Sequence, residues 1–293
     1  MNNITYSFII PHKNCPELLE RCVSSIPQRN DVQIIVVDDN SELDKKPTLK
    51  RKDVELIYLD GENSNGAGRA RNAALRCARG KWILCADADD YYKEGLLTVL
   101  DQYKDLDIDL LFFNAGSDCP NSWPNTLTKK LSSYINKYVK DSECIENLKY
   151  GLKVPWYRMV SHDLILRNNI KFEEIEKGND IQYSFLTSYF ANNIKVDSSV
   201  LYIYTSNPNG ISNTKRNLDS WLCSISNVCK INAFYKYTNN NNLCMHTLSP
   251  FWWAYKDGGV VLFLKVLAYA MKNICFILGE RMKYVRMVSN MSK

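Results

Sequence analysis

The sequence predicts an α/β fold: a mixed, mostly parallel, doubly wound sheet flanked by helices, with a helical C-terminal extension. Three observations predict it. Apolar runs without alternation, such as Ile34-Ile35-Val36-Val37 and Trp82-Ile83-Leu84-Cys85-Ala86, read as strands buried on both faces. Helical patterns separate those runs in a β-α-β-α order. The runs also end on polar or breaking residues, at Pro11, Asp38-Asp39 and Asp87, where a sheet's carboxyl edge would lie.

Taken in order, Tyr6 to Ile10 is the first strand. Leu18, Leu19, Cys22, Val23 and Ile26 then share one helix face. Ile34 to Val37 follows as the second strand and Val54 to Leu59 as the third. Ala70, Ala73, Ala74 and Cys77 mark a helix whose small face can approach the sheet closely. The fourth strand is Trp82 to Ala86, followed by a helix through Leu96, Leu97 and Leu100 and a strand from Asp109 to Phe113. Asn114 to Asn147 reads as an irregular polar stretch ending in a helix. Val154 to Ser206 is compact again, and Asn217 to Tyr237 is helical. These features divide the chain into a domain over 1–210, with halves 1–115 and 116–210, and a helical region over 211–293.

The formal charge of +5 is mild, and no long basic tract stands out, so nucleic acid is not a predicted partner. Ten scattered cysteines without CxxC spacing read as buried free thiols rather than a zinc site, and reduced thiols suit the cytoplasm. Met1-Asn2-Asn3-Ile4 lacks the basic and apolar start of a signal peptide. Gly258 to Leu278 is strongly apolar but carries Lys265 and Lys272, which disfavour a transmembrane span. Arg281, Lys283, Arg286 and Lys293 follow. The preferred reading is an amphipathic helix on an anionic membrane surface, peripheral on the inner face; packing on the domain is the alternative.

Two acidic clusters fall beyond strand ends: Asp38-Asp39 and Asp87-Ala88-Asp89-Asp90. Carboxylates this close repel unless a positive charge joins them. Hard oxygen ligands of this kind suit Mg²⁺ or Mn²⁺ bound together with phosphate. Asn65-Gly66-Ala67-Gly68-Arg69-Ala70-Arg71-Asn72 lies between them, with glycines at a helix start and two arginines for anions. It is not a dinucleotide fingerprint, because Arg71 stands where the last glycine belongs, and no phosphate-binding P-loop occurs.

In this order and spacing the pieces resemble glycosyltransferase family 2, the inverting group with the GT-A, Rossmann-like fold. They are Phe8-Ile9-Ile10-Pro11-His12-Lys13-Asn14, Ile35-Val36-Val37-Asp38-Asp39-Asn40-Ser41, Gly68-Arg69-Ala70-Arg71-Asn72-Ala73-Ala74, Gly80-Lys81-Trp82-Ile83-Leu84 and Asp87-Ala88-Asp89-Asp90. The first piece departs from the family at His12-Lys13. The resemblance implies that residues 1–115 bind a nucleotide-sugar, with a UDP-sugar first in line, and that 116–210 meet a saccharide or lipid-linked saccharide acceptor of surface-polysaccharide assembly. Pro11, Asn14 and Asp39 would line the nucleoside pocket, and Arg71 would approach the donor phosphates or base. Asp87 would contact the ribose or the metal side, Asp89 would ligate Mn²⁺ or Mg²⁺, and Asp90 would support them.

The second half matches through Val154 to Arg158 and Ile170 to Phe172. There the family's Glu-Asp reads Asn179-Asp180, which aligns Asp180 with the general base and leaves the role of the Glu open. An N-cap is the competing role for Asp180. Glu173, Glu174 and Glu176 are competing carboxylates. Tyr204-Thr205-Ser206 with Ser212 resembles the segment after the base. His12, His162 and His246 show no spacing for a metal or a triad. Two rivals remain: a sugar nucleotidyltransferase, disfavoured by Pro11-His12-Lys13-Asn14 after the first strand, and a non-catalytic nucleotide-sugar-binding or scaffold member of the same fold.

Overall fold

The computed structural model describes residues 3–59, 66–119, 121–207, 210 and 216–290. Asn65 of the glycine-arginine segment, Ser212 and Lys293 lie outside them. The chain forms two compact units, Met1–Ile175 with Asn179–Gly210 and Glu176–Gly178 with Ile211–Lys293.

The first unit is built on a mixed sheet. Its strands are β1 (Tyr6–His12), β2 (Val32–Asp38), β3 (Val54–Tyr58), β4 (Trp82–Cys85), β5 (Tyr91–Tyr92), β6 (Leu110–Ser117), β7 (Arg158–Ser161) and β8 (Ile194–Tyr204). Their spatial order is β3-β2-β1-β4-β7-β6-β8-β5. The first four strands are parallel and in register from Tyr6↔Val32 to His12↔Asp38 and from Tyr6↔Trp82 to Ile9↔Cys85. Phe8, Ile9, Ile10 and Ile34 to Val37 are all buried, as unalternating runs require. Helices α1 (Pro16–Ser24) and α2 (Ala67–Cys77) supply crossovers, and the short helices α3 (Leu96–Leu100), α5 (Ile145–Tyr150) and α6 (His162–Arg167) follow along the chain. Strand order reverses between β1 and β4, so this α/β sheet has its crevice there, beyond the carboxyl ends of both strands. Pro11 is tolerated in β1 because β4 has already parted from it after the Ile9↔Cys85 pair.

Several elements depart from the sequence expectation. β7 pairs antiparallel with β4 and β6, and its four residues are too few to show a period. β6 runs on to Ser117 because β8 pairs with it through Ser117↔Tyr204, despite Asn114 and the register shifts on both sides of it. The helix expected to end the stretch 114–147 is present as α4 (Trp123–Lys140) but starts earlier, which leaves less irregular chain than expected; Ser122 caps it by accepting from Asn125 N–H. The cysteines are free, but only Cys22 and Cys85 are buried, while Cys77 and Cys275 are exposed. Cys77 therefore does not belong to the small buried face formed by Ala70, Ala73 and Ala74.

The second unit packs α8 (Leu218–Tyr237), α9 (Ser249–Lys272) and α10 (Ile274–Asn290) around Trp221, Leu222, Ile225, Ala254, Val266, Ala270 and Ile277. The apolar stretch 258–278 is not one helix. Gly259 adopts φ 66, which only glycine takes without strain, and α9 and α10 meet at a 66° bend. No single helix among the described residues is long and apolar enough to cross a membrane, although the bent pair passes by length and composition.

Candidate active site

The carboxyl ends of β1 and β2 are tied together through His12. Its Nε2 accepts from the Cys15 backbone N–H at 3.2 Å, so Nδ1 carries the proton and donates to Asp38 Oδ1 at 2.7 Å. Ser41 Oγ donates to the same carboxylate at 2.5 Å and accepts from Asn14 N–H at 2.9 Å. Asn14, held at φ 55, also accepts from Glu42 N–H at 2.8 Å, and Asp39 N–H donates to the His12 carbonyl at 2.8 Å. Asn14 and Asp39 thus share one braced rim, and Pro11 lies beside it opposite Val37. The bracing histidine is invisible to linear spacing; the signal is the parallel register that sets His12 against Asp38.

Arg71 projects from α2 into the crevice. Gly68, one turn earlier, admits the close approach: a Cβ there would stand 1.9 Å from the Glu173 carbonyl oxygen. Arg71 is 5% exposed and bridges two segments, donating to Asp87 Oδ1 at 2.5 Å and to Asn179 Oδ1 at 2.7 Å. Burial alone would lower its pKa, but Asp87 and Asp180 outweigh that and hold the guanidinium charged. Asn179 thus gives Arg71 a neutral acceptor, which leaves more of the arginine's charge for its other neighbours.

Beyond β4, the three aspartates take different surroundings. Asp87 keeps about a third of its side chain exposed while paired to Arg71. Asp90 is fully buried and accepts from Tyr202 Oη at 2.6 Å and Thr205 N–H at 2.8 Å, which pins the end of β8 to the loop after β4. Burial first, then the charges of Asp87 and Asp89, push its carboxyl well up. Asp89 accepts from Asn207 Nδ2 at 2.9 Å, and burial and then Asp87 raise its pKa too. Its carbonyl takes Arg21 at 2.5 Å and the Thr205 hydroxyl.

Asp180 sits at the N-cap position of α7 (Ile181–Phe190), but its side chain makes no capping bond and its φ/ψ are already helical. The capping role is thus not what its carboxylate does. Burial pushes its pKa up to about 6; Arg71 pulls it down and Asp87 raises it further. A carboxylate poised there suits proton abstraction near neutral pH. Lys153, which the sequence did not single out, is within electrostatic reach: burial and Lys130 lower it to about 8, while Asp180 pulls it up. Of the competing carboxylates, Glu174 is engaged by Asn72 Nδ2 at 3.0 Å. His162 Nδ1 meets the Gly80 carbonyl at 3.0 Å, a structural bond remote from this chemistry.

Among the described residues no group of three His, Cys, Asp or Glu forms a closed metal cage. The donor set nevertheless fits a hard divalent cation. Asp89 is a partly buried carboxylate whose proton affinity is raised by that burial and then by Asp87, and one or two carboxylates plus substrate phosphates are how Mg²⁺ is commonly held.

Comparison with known proteins bears on the family and the fold. The family model described as Glycosyl transferase family 2 matches residues 7–179. The chain is 25% identical over 222 residues to an uncharacterized glycosyltransferase, EpsJ, of Bacillus subtilis, covering 70% of this chain and 62% of that one. It is 34% identical over 89 residues, 29% of this chain and 36% of the other, to the Escherichia coli UDP-Glc:alpha-D-GlcNAc-diphosphoundecaprenol beta-1,3-glucosyltransferase WfaP. The matches thus span less than two thirds of these relatives' own lengths. A crystal structure of S. aureus TarS 1-349 in complex with UDP-GlcNAc superposes with a TM-score of 0.59 at 18% identity, covering 98% of this chain and 91% of that one. With the family match over more than half its length and this shared GT-A architecture, the chain belongs to glycosyl transferase family 2.

Proposed function

We propose that this chain moves a sugar, with inversion, from a nucleotide-sugar to a saccharide acceptor, that the donor is a UDP-sugar and the acceptor lipid-linked, and that the product feeds surface-polysaccharide biosynthesis. The observation that carries the reading is the bridge of Arg71 to Asp87 and Asn179 at the switch point, with the raised Asp180 beside it. The donor class draws on the UDP-GlcNAc complex of TarS and the UDP-Glc in the name of WfaP; the latter's diphosphoundecaprenol acceptor supports a lipid-linked substrate here.

In this reading Asn14, Asp39 and Pro11 hold the nucleoside, and Arg71 and Asp87 orient the diphosphate end. Asp89 would hold Mn²⁺ or Mg²⁺, which would supply positive charge for the departing diphosphate. Asp180 takes the proton from the acceptor hydroxyl. That oxygen forms a bond to the anomeric carbon on the face opposite the donor phosphate, and the bond to the phosphate oxygen breaks with its electron pair leaving on the nucleoside diphosphate. Asp90 holds β8 and the loop after β4 in place through Tyr202 and Thr205. A retained Asp180 with a tuned pKa favours an enzyme over a scaffold.

Calorimetric titration of UDP, GDP and a panel of nucleotide-sugars into the full chain tests the donor assignment. Binding of a UDP-sugar that tightens with Mn²⁺ is expected. Binding of no nucleotide-sugar with or without the metal overturns it.

A further inference from the structure

We propose that the solvent-facing side of α9 and α10 is a docking surface for an anionic lipid bilayer. The surface lies wholly within the second unit, and it does not depend on the transfer reaction proposed above.

The part of α9 after Gly259 has two apolar faces. One carries Val266 and Ala270, buried in the cluster with Trp221 and Leu222. The opposite one carries Val260, Leu264, Ala268 and Met271, spaced i, i+4, i+8, i+11 and so aligned on one stripe. Val260, Leu264 and Met271 are 58%, 54% and 67% exposed. A helix serving only the fold would place polar residues there. Along one edge of the stripe stand the exposed Lys265 and Lys272, one heptad apart. Lysine stems can lie along an apolar surface while their ammonium groups reach outward.

The same character continues past the bend, where Phe276, Leu278 and Met282 of α10 are each about half exposed. At the other end of α9, exposed Trp252 stacks on exposed Tyr255 with ring centroids 5.6 Å apart, and the Lys256 ammonium lies 5.5 Å over the Trp252 ring. Trp and Tyr are the residues that favour the headgroup region of a bilayer.

Charge selects the occupant. Residues 249–290 contain six Lys or Arg against Asp257 and Glu280. Glu280 is already taken up by Lys230 at 3.3 Å and Lys283 at 2.8 Å. The exposed apolar stripe is therefore bordered by cations with little acid to offset them, which matches a negatively charged headgroup layer and opposes self-association through the same face. The 66° bend and the lysine edge suit a helix pair lying in the interface rather than crossing it.

Co-sedimentation of the full chain with vesicles of phosphatidylcholine alone, or with phosphatidylglycerol added, tests this without any donor or acceptor. Binding at least about tenfold stronger to the anionic vesicles, weakened by high salt, is expected. Leu264→Glu with Met271→Glu should lose that binding while keeping the wild-type circular dichroism and melting temperature, because both positions are already exposed. Lys265→Glu with Lys272→Glu should lose the preference for anionic lipid. Equal binding to the two vesicle types, or none to either, overturns the proposal. So does a wild-type dimer that becomes monomeric in the Leu264→Glu, Met271→Glu variant, since that result assigns the face to a second copy of the chain.

Discussion

Replacing Asp180 with Asn removes one proton-accepting charge while keeping the side chain's shape, and its consequences for activity and stability should run in opposite directions. The folded pKa is about 6 against an ordinary 3.8, chiefly because of burial, with Arg71 opposing. The folded state therefore holds the proton more tightly than the unfolded chain, so ionised Asp180 costs stability. That cost is absent below about pH 3.8 and fully present above about pH 6. About two units correspond to roughly 3 kcal/mol, an upper bound because the Asn amide must find partners of its own. Urea denaturation from pH 4 to 8 should show Asp180→Asn gaining on the wild type through that window and levelling above pH 6. Loss of a general base should meanwhile reduce turnover about 10²–10⁴-fold with donor affinity kept, and the wild-type rate should have an acid limb near pH 6. Near-normal turnover in Asp180→Asn removes it as the base. A variant less stable than the wild type at pH 8 refutes the buried-charge reasoning.

Other outcomes follow from the same geometry. Arg71→Lys cannot reproduce the two-way fork to Asp87 and Asn179, so the donor KM should rise by about tenfold or more, read from initial rates. His12→Phe removes the bonds to Asp38 and Cys15; it should cost about 1–3 kcal/mol in urea denaturation and weaken nucleotide binding by titration calorimetry, with turnover at saturating donor little changed. Lys153→Met takes a cation away from Asp180 and should move the acid limb of the pH–rate profile to higher pH. Gly68→Ala forces a methyl against the Glu173 carbonyl and should lower the melting temperature by several degrees in a calorimetric scan.

The donor half of the fold was readable because doubly buried parallel strands leave continuous apolar runs, and these end where ligands bind. Ile34 to Val37 and Trp82 to Cys85 lie where the sequence puts them, and Asp38-Asp39 and Asp87 follow them. The acceptor half was harder for physical reasons. Four-residue β7 is held by its neighbours rather than by a pattern, and Arg158 within it is buried by bonding the Ser184 carbonyl and the Tyr157 hydroxyl rather than an acid. The His12 brace and the pairing of Asn179 with Arg71 depend on contacts across 26 and 108 residues, which no local window contains. The C-terminal apolar stretch was visible as composition, but its breaks, at Gly258-Gly259 and between α9 and α10, depend on local backbone conformations.

The central claim is tested most directly by release of UDP from a UDP-sugar in the presence of acceptor, followed with Mn²⁺ and with the metal chelated, for wild type, Asp89→Ala and Asp180→Asn. Metal-dependent release by the wild type is expected, with Asp89→Ala inactive at any metal concentration that supports the wild type. Asp180→Asn should bind donor normally but release little UDP. Full release by the wild type under chelation, or by Asp89→Ala with Mn²⁺, would contradict the metal assignment; full release by Asp180→Asn would contradict the base.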